Sequence, residues 1–448
     1  MRFSTLMLMV ISLLSFYETA SVNFYQQQKG TQDAFQSDLL FNCSKFQTDD
    51  DILRSFPFKV ELNPIIEHSK ITFGLLDVNG NLYYLNVFNE TYFPLSGFCF
   101  KHLQKLDVRK TSFQNVNNTI PAEIQYLAST LTEIGIYDTI IIRLPYEMSK
   151  LGKLETIQFS NTSLKILPDF IGNFLSLKFL SVPNNMLTLL PTTIVNNSKL
   201  RHIVLNNNPY LHSIQSLNDH PSIKYIEAKN CSIENLLVNL PQLTDLYMSN
   251  NNLENLRNIN TLGYATNARK FFYFGQNRIK FITPQIQSLP KTISNLKSLV
   301  EITLIKNPHL CSIKTIDGLP ALQILVARNC SIQDLPRNLP KLKDLLMSYN
   351  NLTSLSGIET LIDKANKSQN FEFNNNRITS ITPEIRHLHT LSRLHLAQNQ
   401  LDNLPTDMFD MKNLTYLNLK NNSFLPNETQ YLKNEFTKRN SKLKVYFD

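Results

Sequence analysis

The chain has 448 residues, 42% hydrophobic and 18% charged, with a formal charge of +8, 11 glycines, five cysteines and no tryptophan. More residues than one compact core usually serves leave two options: several domains, or an architecture that is not compact. The lysine excess is spread over the whole length, which fits a solvated surface, and no basic tract is dense enough to suggest nucleic acid.

At the amino terminus, Arg2 precedes an apolar run from Leu6 to Phe16, and small residues follow at Thr19, Ala20 and Ser21. Residues 1–21 read as a cleaved secretory signal, since the run is too short to span a bilayer. An uncleaved anchor is the alternative. No later stretch is apolar enough to span, and the closing KLKVYFD is too polar for a lipid-anchor signal. The mature chain is therefore expected to be secreted and extracellular.

Residues 22–81 are the expected N-terminal cap, with helix-like apolar stretches around Leu39–Phe46 and Ile52–Ile66. Asp49, Asp50 and Asp51 read as a helix start or surface cluster in preference to a cation site.

From residue 82 a repeat takes over. In LKFLSVPNNML, beginning at Leu177, apolar residues fill the first, fourth, sixth and eleventh places, and Asn185 the ninth. Units start at Leu82, Leu103, Leu131, Leu154, Leu177, Leu200, Ile223, Leu243, Arg269, Leu299, Leu322, Leu342, Ser368, Leu391 and Leu414, making fifteen coils. The fourth and sixth places are apolar in all fifteen, the alternation of a strand with one buried face. The ninth is Asn in nine units, and Thr at 111, 139 and 162. A side chain turning inward there must satisfy backbone groups of neighbouring coils, and Asn carries both donors and an acceptor. Many units then pass through Leu-Pro, as at Leu167-Pro168 and Leu404-Pro405, into a return arm that closes the coil. One unit cannot bury its face alone, so the coils must stack.

The pattern LxxLxLxxNxLxxLP over about residues 82–435 resembles the leucine-rich repeat family. The resemblance implies an α/β solenoid: a horseshoe of about 15 coils with a parallel concave β-sheet, solenoid residues 82–426, and a C-terminal cap at 427–448. Fifteen strands at about 4.8 Å would run roughly 70 Å. FGLLDVNGNLYYLNV (Phe73–Val87) looks like the cap-to-first-strand passage of plant-type extracellular members. Caps of that type usually hold paired cysteines; here only Cys43 lies in the cap, with Cys99 in the first coil, and a Cys43–Cys99 disulfide is an expectation for a secreted chain. NETQYLKNEFTKRN (Asn427–Asn440) reads as a polar helix and KVYF as a last extended piece.

A second-order duplication lies over the repeats. The block from Leu200 is copied 99 residues later from Leu299, and the polar first places Arg269 and Ser368 agree. Cys231 and Cys330 are copies of one ninth-place residue. Four coils, about 19 Å, separate them, too far for a disulfide, so each reads as a small buried ladder residue. Cys311 also reads as free.

No phosphate loop, His-Glu-x-x-His, nucleophile elbow or Cys-x-x-Cys is present. No catalytic residue, metal ligand or cofactor is assigned, and the chain reads as a non-enzyme. His202 and His395 each read as a lone surface residue. Glu301 and Asp344, two acids able to meet across coils, read as part of a solvated stripe. Sugar-acceptor triplets stand at Asn42, Asn89, Asn117, Asn161, Asn196, Asn230, Asn329, Asn351, Asn366, Asn413, Asn421 and Asn427.

The exposed strand places change character midway. The fifth runs Ser181, Val204, Glu227, then Tyr247, Tyr273, Thr303, Val326, Leu346, and returns to Glu372. With Phe271, Ile305, Ile324 and Tyr349 beside them, these form an expected apolar-aromatic patch rimmed by Asp245, Glu301 and Asp344. The bland alternative is ordinary scattered exposure, or cover by the insertion at 284–298. The leading reading is a secreted recognition protein binding a protein or peptide through the concave face. Family resemblance supports adhesion, immune-type recognition or inhibition of a secreted enzyme. A glycan- or matrix-binding structural protein is the alternative.

Overall fold

The computed structural model describes residues 41–65, 70–113, 117–280, 296–362 and 368–448. The expected signal segment, the start of the cap, Asn366 and the insertion up to residue 295 lie outside these residues.

Each coil contributes one short strand to an 18-stranded sheet. Its ladder is parallel throughout, as in Phe179↔His202 and His202↔Tyr225. Only Phe73–Leu76 against Leu82–Phe88 runs antiparallel. The apolar alternation is the cause. No side chain at the fourth or sixth place, from Leu85 and Val87 to Leu417 and Leu419, is more than 1% exposed. These pairs form one continuous core along the stack. A coil's strand alone would leave that stripe in water.

The return arms are short 3₁₀ helices. Pro168, Pro191 and Pro405 stand at the N-caps of Asp169–Asn173, Thr192–Asn196 and Thr406–Asp410. Proline's fixed φ sets the entry without removing a needed donor. Strands lie on one side of each coil and 3₁₀ arms on the other, the arrangement of a leucine-rich-type solenoid whose parallel sheet lines the concave face.

The ninth-place Asn works as expected. Asn208 donates its amide to the carbonyls of Val182 (2.9 Å) and Leu205 (2.7 Å), and accepts from the N–H of Leu187 (3.0 Å). Cys231 fills the same place with its thiol 3.4 Å from the Leu205 carbonyl, and Cys330 lies 3.2 Å from that of Leu304. Both thiols are free, as is Cys311. The eighth place shows something the residue pattern only hinted at. It is left-handed in all fifteen coils, with φ from +49° at Lys110 to +61° at Tyr349, as at Asn184 (+56°) and Asn230 (+54°). The Asn or Asp in ten of the fifteen is the residue type that tolerates this conformation best after glycine.

Two unit boundaries need correction. Arg269 and Ser368 do not occupy buried first places; Lys270 and Gln369 do, both fully buried. A register irregularity follows each, so Lys270 pairs with Leu299 while Phe271 pairs with Glu301, and Gln369 with Leu391 while Asn370 pairs with Arg393. Parallel pairing aligns strands by what can be buried and satisfied. Lys270 lays its stem in the core and gives its ammonium to the Thr266 carbonyl (3.0 Å) and to Ser298 Oγ. Gly263, at φ +67°, makes room; a Cβ there would lie 2.3 Å from Lys270 Cε. Gln369 donates to the Leu342 and Leu361 carbonyls, both at 2.7 Å.

At the amino end, helix α1 (Asp49–Arg54) opens on a capping box between Thr48 and Asp51. The Asp49 carboxylate accepts from the N–H of Leu82 at 2.7 Å, tying α1 to the first coil. The helix-like reading from Ile52 is corrected as far as residue 65, and Ile66 lies outside the described residues. Pro57 ends the helical stretch, and Glu61–Leu62 joins the sheet edge beside Phe73–Leu76. Around Leu39–Phe46 the described residues hold only the 3₁₀ turn Cys43–Lys45. Cys43 and Cys99 are joined as a disulfide, Cα atoms 5.3 Å apart. At the carboxyl end, α2 (Pro426–Arg439) buries Leu432 and Phe436, and Lys444–Tyr446 adds the last parallel strand.

Candidate functional site

Register brings the expected patch together. Tyr247↔Tyr273↔Thr303↔Val326↔Leu346↔Glu372 are successive neighbours across six strands. One residue pair earlier on the same strands lie Asp245↔Phe271↔Glu301↔Ile324↔Asp344↔Asn370. Both rows face the hollow, because the places between them point into the core.

Tyr247, Phe271, Tyr273, Ile305, Ile324 and Leu346 are half-buried, and Tyr349 is exposed at 53%. Val326 departs from the reading. It is only 9% exposed, so it contributes a floor to the patch rather than area for a partner. Small β-branched residues flanked by longer side chains lose their solvent contact in this way.

The aromatic residues extend further than the pattern suggested. Phe179, His202, Tyr225, Tyr247 and Tyr273 form a ladder with ring centroids 6.2, 5.6, 5.4 and 4.6 Å apart. Tyr247 and Tyr273 stack within 6° of parallel. His202 is therefore not alone, and His395 likewise stacks on Tyr416 at 4.6 Å. Sequence reading missed this because Phe179, His202 and Tyr225 stand at the third place and Tyr247 and Tyr273 at the fifth. Only the sheet shows that long rings bridge the two rows.

Polar groups tune the rings. Tyr225 donates to Glu227 at 2.9 Å, and Lys229 holds the same carboxylate at 2.7 Å. Burial works against ionisation of Glu227, but bonds from Lys229, Asn206 and Tyr225 outweigh it and hold its carboxyl below the usual range. Burial first, and then the Glu301 carboxylate, push the Tyr273 hydroxyl above its usual range. Tyr247 is raised by burial and by Asp245. These phenols stay neutral hydrogen-bonding groups.

Tyr349 is at an eighth place and has φ +61°. A bulky exposed aromatic held in the left-handed region costs backbone energy that Asn would largely avoid. Such strain at an exposed site is a pointer to use.

Glu301 and Asp344, thought able to meet across coils, do not. Ile324 stands between them. Among the described residues no group of three or more His, Cys, Asp or Glu side chains converges as a metal site, and no helix is long and apolar enough to cross a membrane. Of the sugar-acceptor residues, Asn42, Asn89, Asn117, Asn161, Asn196, Asn230, Asn329, Asn413, Asn421 and Asn427 are exposed and Asn351 is half-buried. Asn230 gives its amide to Asn207 at 2.6 Å, within a run Asn250–Asn230–Asn207–Asn184 of amide-to-amide bonds.

No protein-family model and no curated protein matches this chain. Solved structures do. A leucine-rich repeat protein of Leptospira interrogans matches with a TM-score of 0.61 at 25% identity, covering 79% of this chain and 86% of that one. The LRIM1/APL1C complex matches with a TM-score of 0.58 at 18% identity, over 77% of this chain and 62% of that one. The plant peptide hormone receptor RGFR1, solved in complex with RGF2, matches with a TM-score of 0.50 at 20% identity, over 80% and 66%. Fifteen stacked coils, the asparagine ladder and these likenesses lead to one conclusion: the chain is a leucine-rich repeat protein.

Proposed function

We propose that the chain is a secreted, non-enzymatic recognition protein that binds a protein or peptide through the concave face of the coils from Ile223 to Leu342. One observation carries this reading. The fifth-place row turns from Glu227 to Tyr247, Tyr273, Thr303, Val326 and Leu346 and then returns to Glu372, while the row beside it interleaves Phe271 and Ile324 with the acids Asp245, Glu301 and Asp344. A solvated sheet face has no need of such a change, whereas a partner surface needs a desolvated centre with a polar rim. The likeness to a receptor solved with its peptide hormone supports the same kind of role.

A glycan is less well served. Sugars stack on open ring faces, and Tyr247 and Tyr273 spend a face on each other at 4.6 Å. The test is capture of partners from the fluid into which the chain is secreted. A Tyr273→Asp/Leu346→Asp variant that still folds should lose the captured protein or peptide. Equal capture by both chains would reject the concave face as the binding surface.

A further inference from the structure

We propose that the concave face takes a basic segment in the polyproline II conformation, with a lysine or arginine at every third residue. The proposal rests on the concave-face reading above and names the chemistry of the ligand.

The chain as a whole carries +8, but the strand centres of this face are acidic, with Lys224, Lys306 and Lys343 set to their sides at second and eighth places. At the third, fifth and seventh places from the Ile223 coil to the Ser368 coil stand five carboxylates: Glu227, Asp245, Glu301, Asp344 and Glu372. Two cations, Lys229 and Arg328, share those places, and each is already paired, with Glu227 and Glu372 respectively. Among the described residues no Lys or Arg lies within ion-pair distance of Asp245, Glu301 or Asp344. Three carboxylates thus have no cationic partner, with only neutral donors on Asp245 (Thr244, 2.6 Å) and Asp344 (Asn370, 3.5 Å), on a half-buried aromatic surface where water screens them less than on an open one.

Their spacing identifies the partner. Along the third-place row the order is Asp245, Phe271, Glu301, Ile324, Asp344. An acid stands on every second strand, with an apolar residue between. Two strand spacings are about 9.6 Å, and the inward bend brings side chains slightly closer than that. A polyproline II helix repeats every three residues at about 3.1 Å each, or about 9.3 Å per turn. A cation at every third position therefore meets Asp245, Glu301 and Asp344 in turn. The intervening side chains rest on Phe271, Ile324 and the Tyr247–Tyr273 stack. An extended strand returns to the same face at about 6.8 Å or 13.6 Å and falls out of step. A polyproline II ligand is also stiff before binding, so little chain entropy is lost.

The test uses the full secreted chain and three labelled nine-residue peptides, read by fluorescence anisotropy. The first repeats Arg-Pro-Leu three times, the second has the same composition with its arginines contiguous, and the third carries Glu in place of each Arg. The first should bind about tenfold tighter than the second, and the third should not bind. An Asp245→Asn/Glu301→Gln/Asp344→Asn variant should weaken the first peptide at least about tenfold with an unchanged melting temperature, and Glu301→Gln alone by about threefold. No binding of the first peptide, equal binding of both arginine peptides, or undiminished binding by the triple variant overturns the proposal. Partner capture separates the two readings. Capture lost with Tyr273→Asp/Leu346→Asp but kept by the triple variant rejects the basic ligand alone. Capture kept by both rejects the concave face itself.

Discussion

The Cys231 thiol stands 3.4 Å from the Leu205 carbonyl of the preceding coil, the bond that Asn208 makes one coil earlier to Val182 at 2.9 Å. A thiol is the weaker donor, and of the three bonds that Asn208 makes it reproduces one. Cys231→Asn and Cys330→Asn should therefore each stabilise the stack by about 1 kcal/mol. Asn208→Ala should cost about 2–3 kcal/mol, because buried carbonyls and the Leu187 N–H lose their partner. Urea unfolding midpoints measure all three, and a lowered midpoint for Cys231→Asn would show that the thiol is not an Asn substitute. Burial also pushes both thiols up to about 11. Iodoacetamide at neutral pH should label exposed Cys311 and spare the other two.

His220 is fully buried, with Nδ1 accepting from the N–H of Ser222 at 3.3 Å. Burial, and then the nearby Arg201 charge, lower it from 6.5 to about 4. The unfolded chain therefore binds the extra proton between these values. Stability from this group is complete above pH 6.5 and falls as pH drops towards 4, by about 3 kcal/mol in all. The duplicated coil carries Leu319 at the equivalent place, also buried. His220→Leu should remove this share of acid sensitivity, seen by comparing unfolding midpoints at pH 7 and 4.5. An identical acid loss in the variant would assign the effect elsewhere.

Tyr349 sets stability against binding. Its φ of +61° suits Asn, so Tyr349→Asn should raise stability by about 0.5–1 kcal/mol while weakening partner capture. A variant that is more stable and binds equally well would leave the strain unexplained by binding.

The Cys43–Cys99 disulfide closes 56 residues of sequence. Its loss through Cys43→Ser should cost about 4 kcal/mol in the chain-entropy account. Solenoid coupling passes between neighbours, so amide exchange should accelerate around α1 and the Leu82 coil first. Uniform acceleration out to Lys444–Tyr446 would indicate that the stack unfolds as one unit.

The sequence by itself determined the coil. Apolar fourth and sixth places repeat in all fifteen units, the inward Asn in nine and the Leu-Pro return in many, and each rule is local, so it can be read from one unit and checked in the next. The role of Cys231 and Cys330 as ladder residues followed from place-counting alone. Departures from the rule needed the tertiary structure. Lys270 and Gln369 are buried where Arg269 and Ser368 were expected, because hydrogen-bond partners supplied by other segments decide what a polar residue at a strand start can do. Pro57 redirected a stretch whose composition looked helical. The candidate site was legible as a list of residues and no further. Whether Val326 is open, whether Tyr247 stacks on Tyr273, and whether Glu301 meets Asp344 all depend on side chains from separate strands sharing one surface. That sharing is a property of register between coils, and no single coil encodes it.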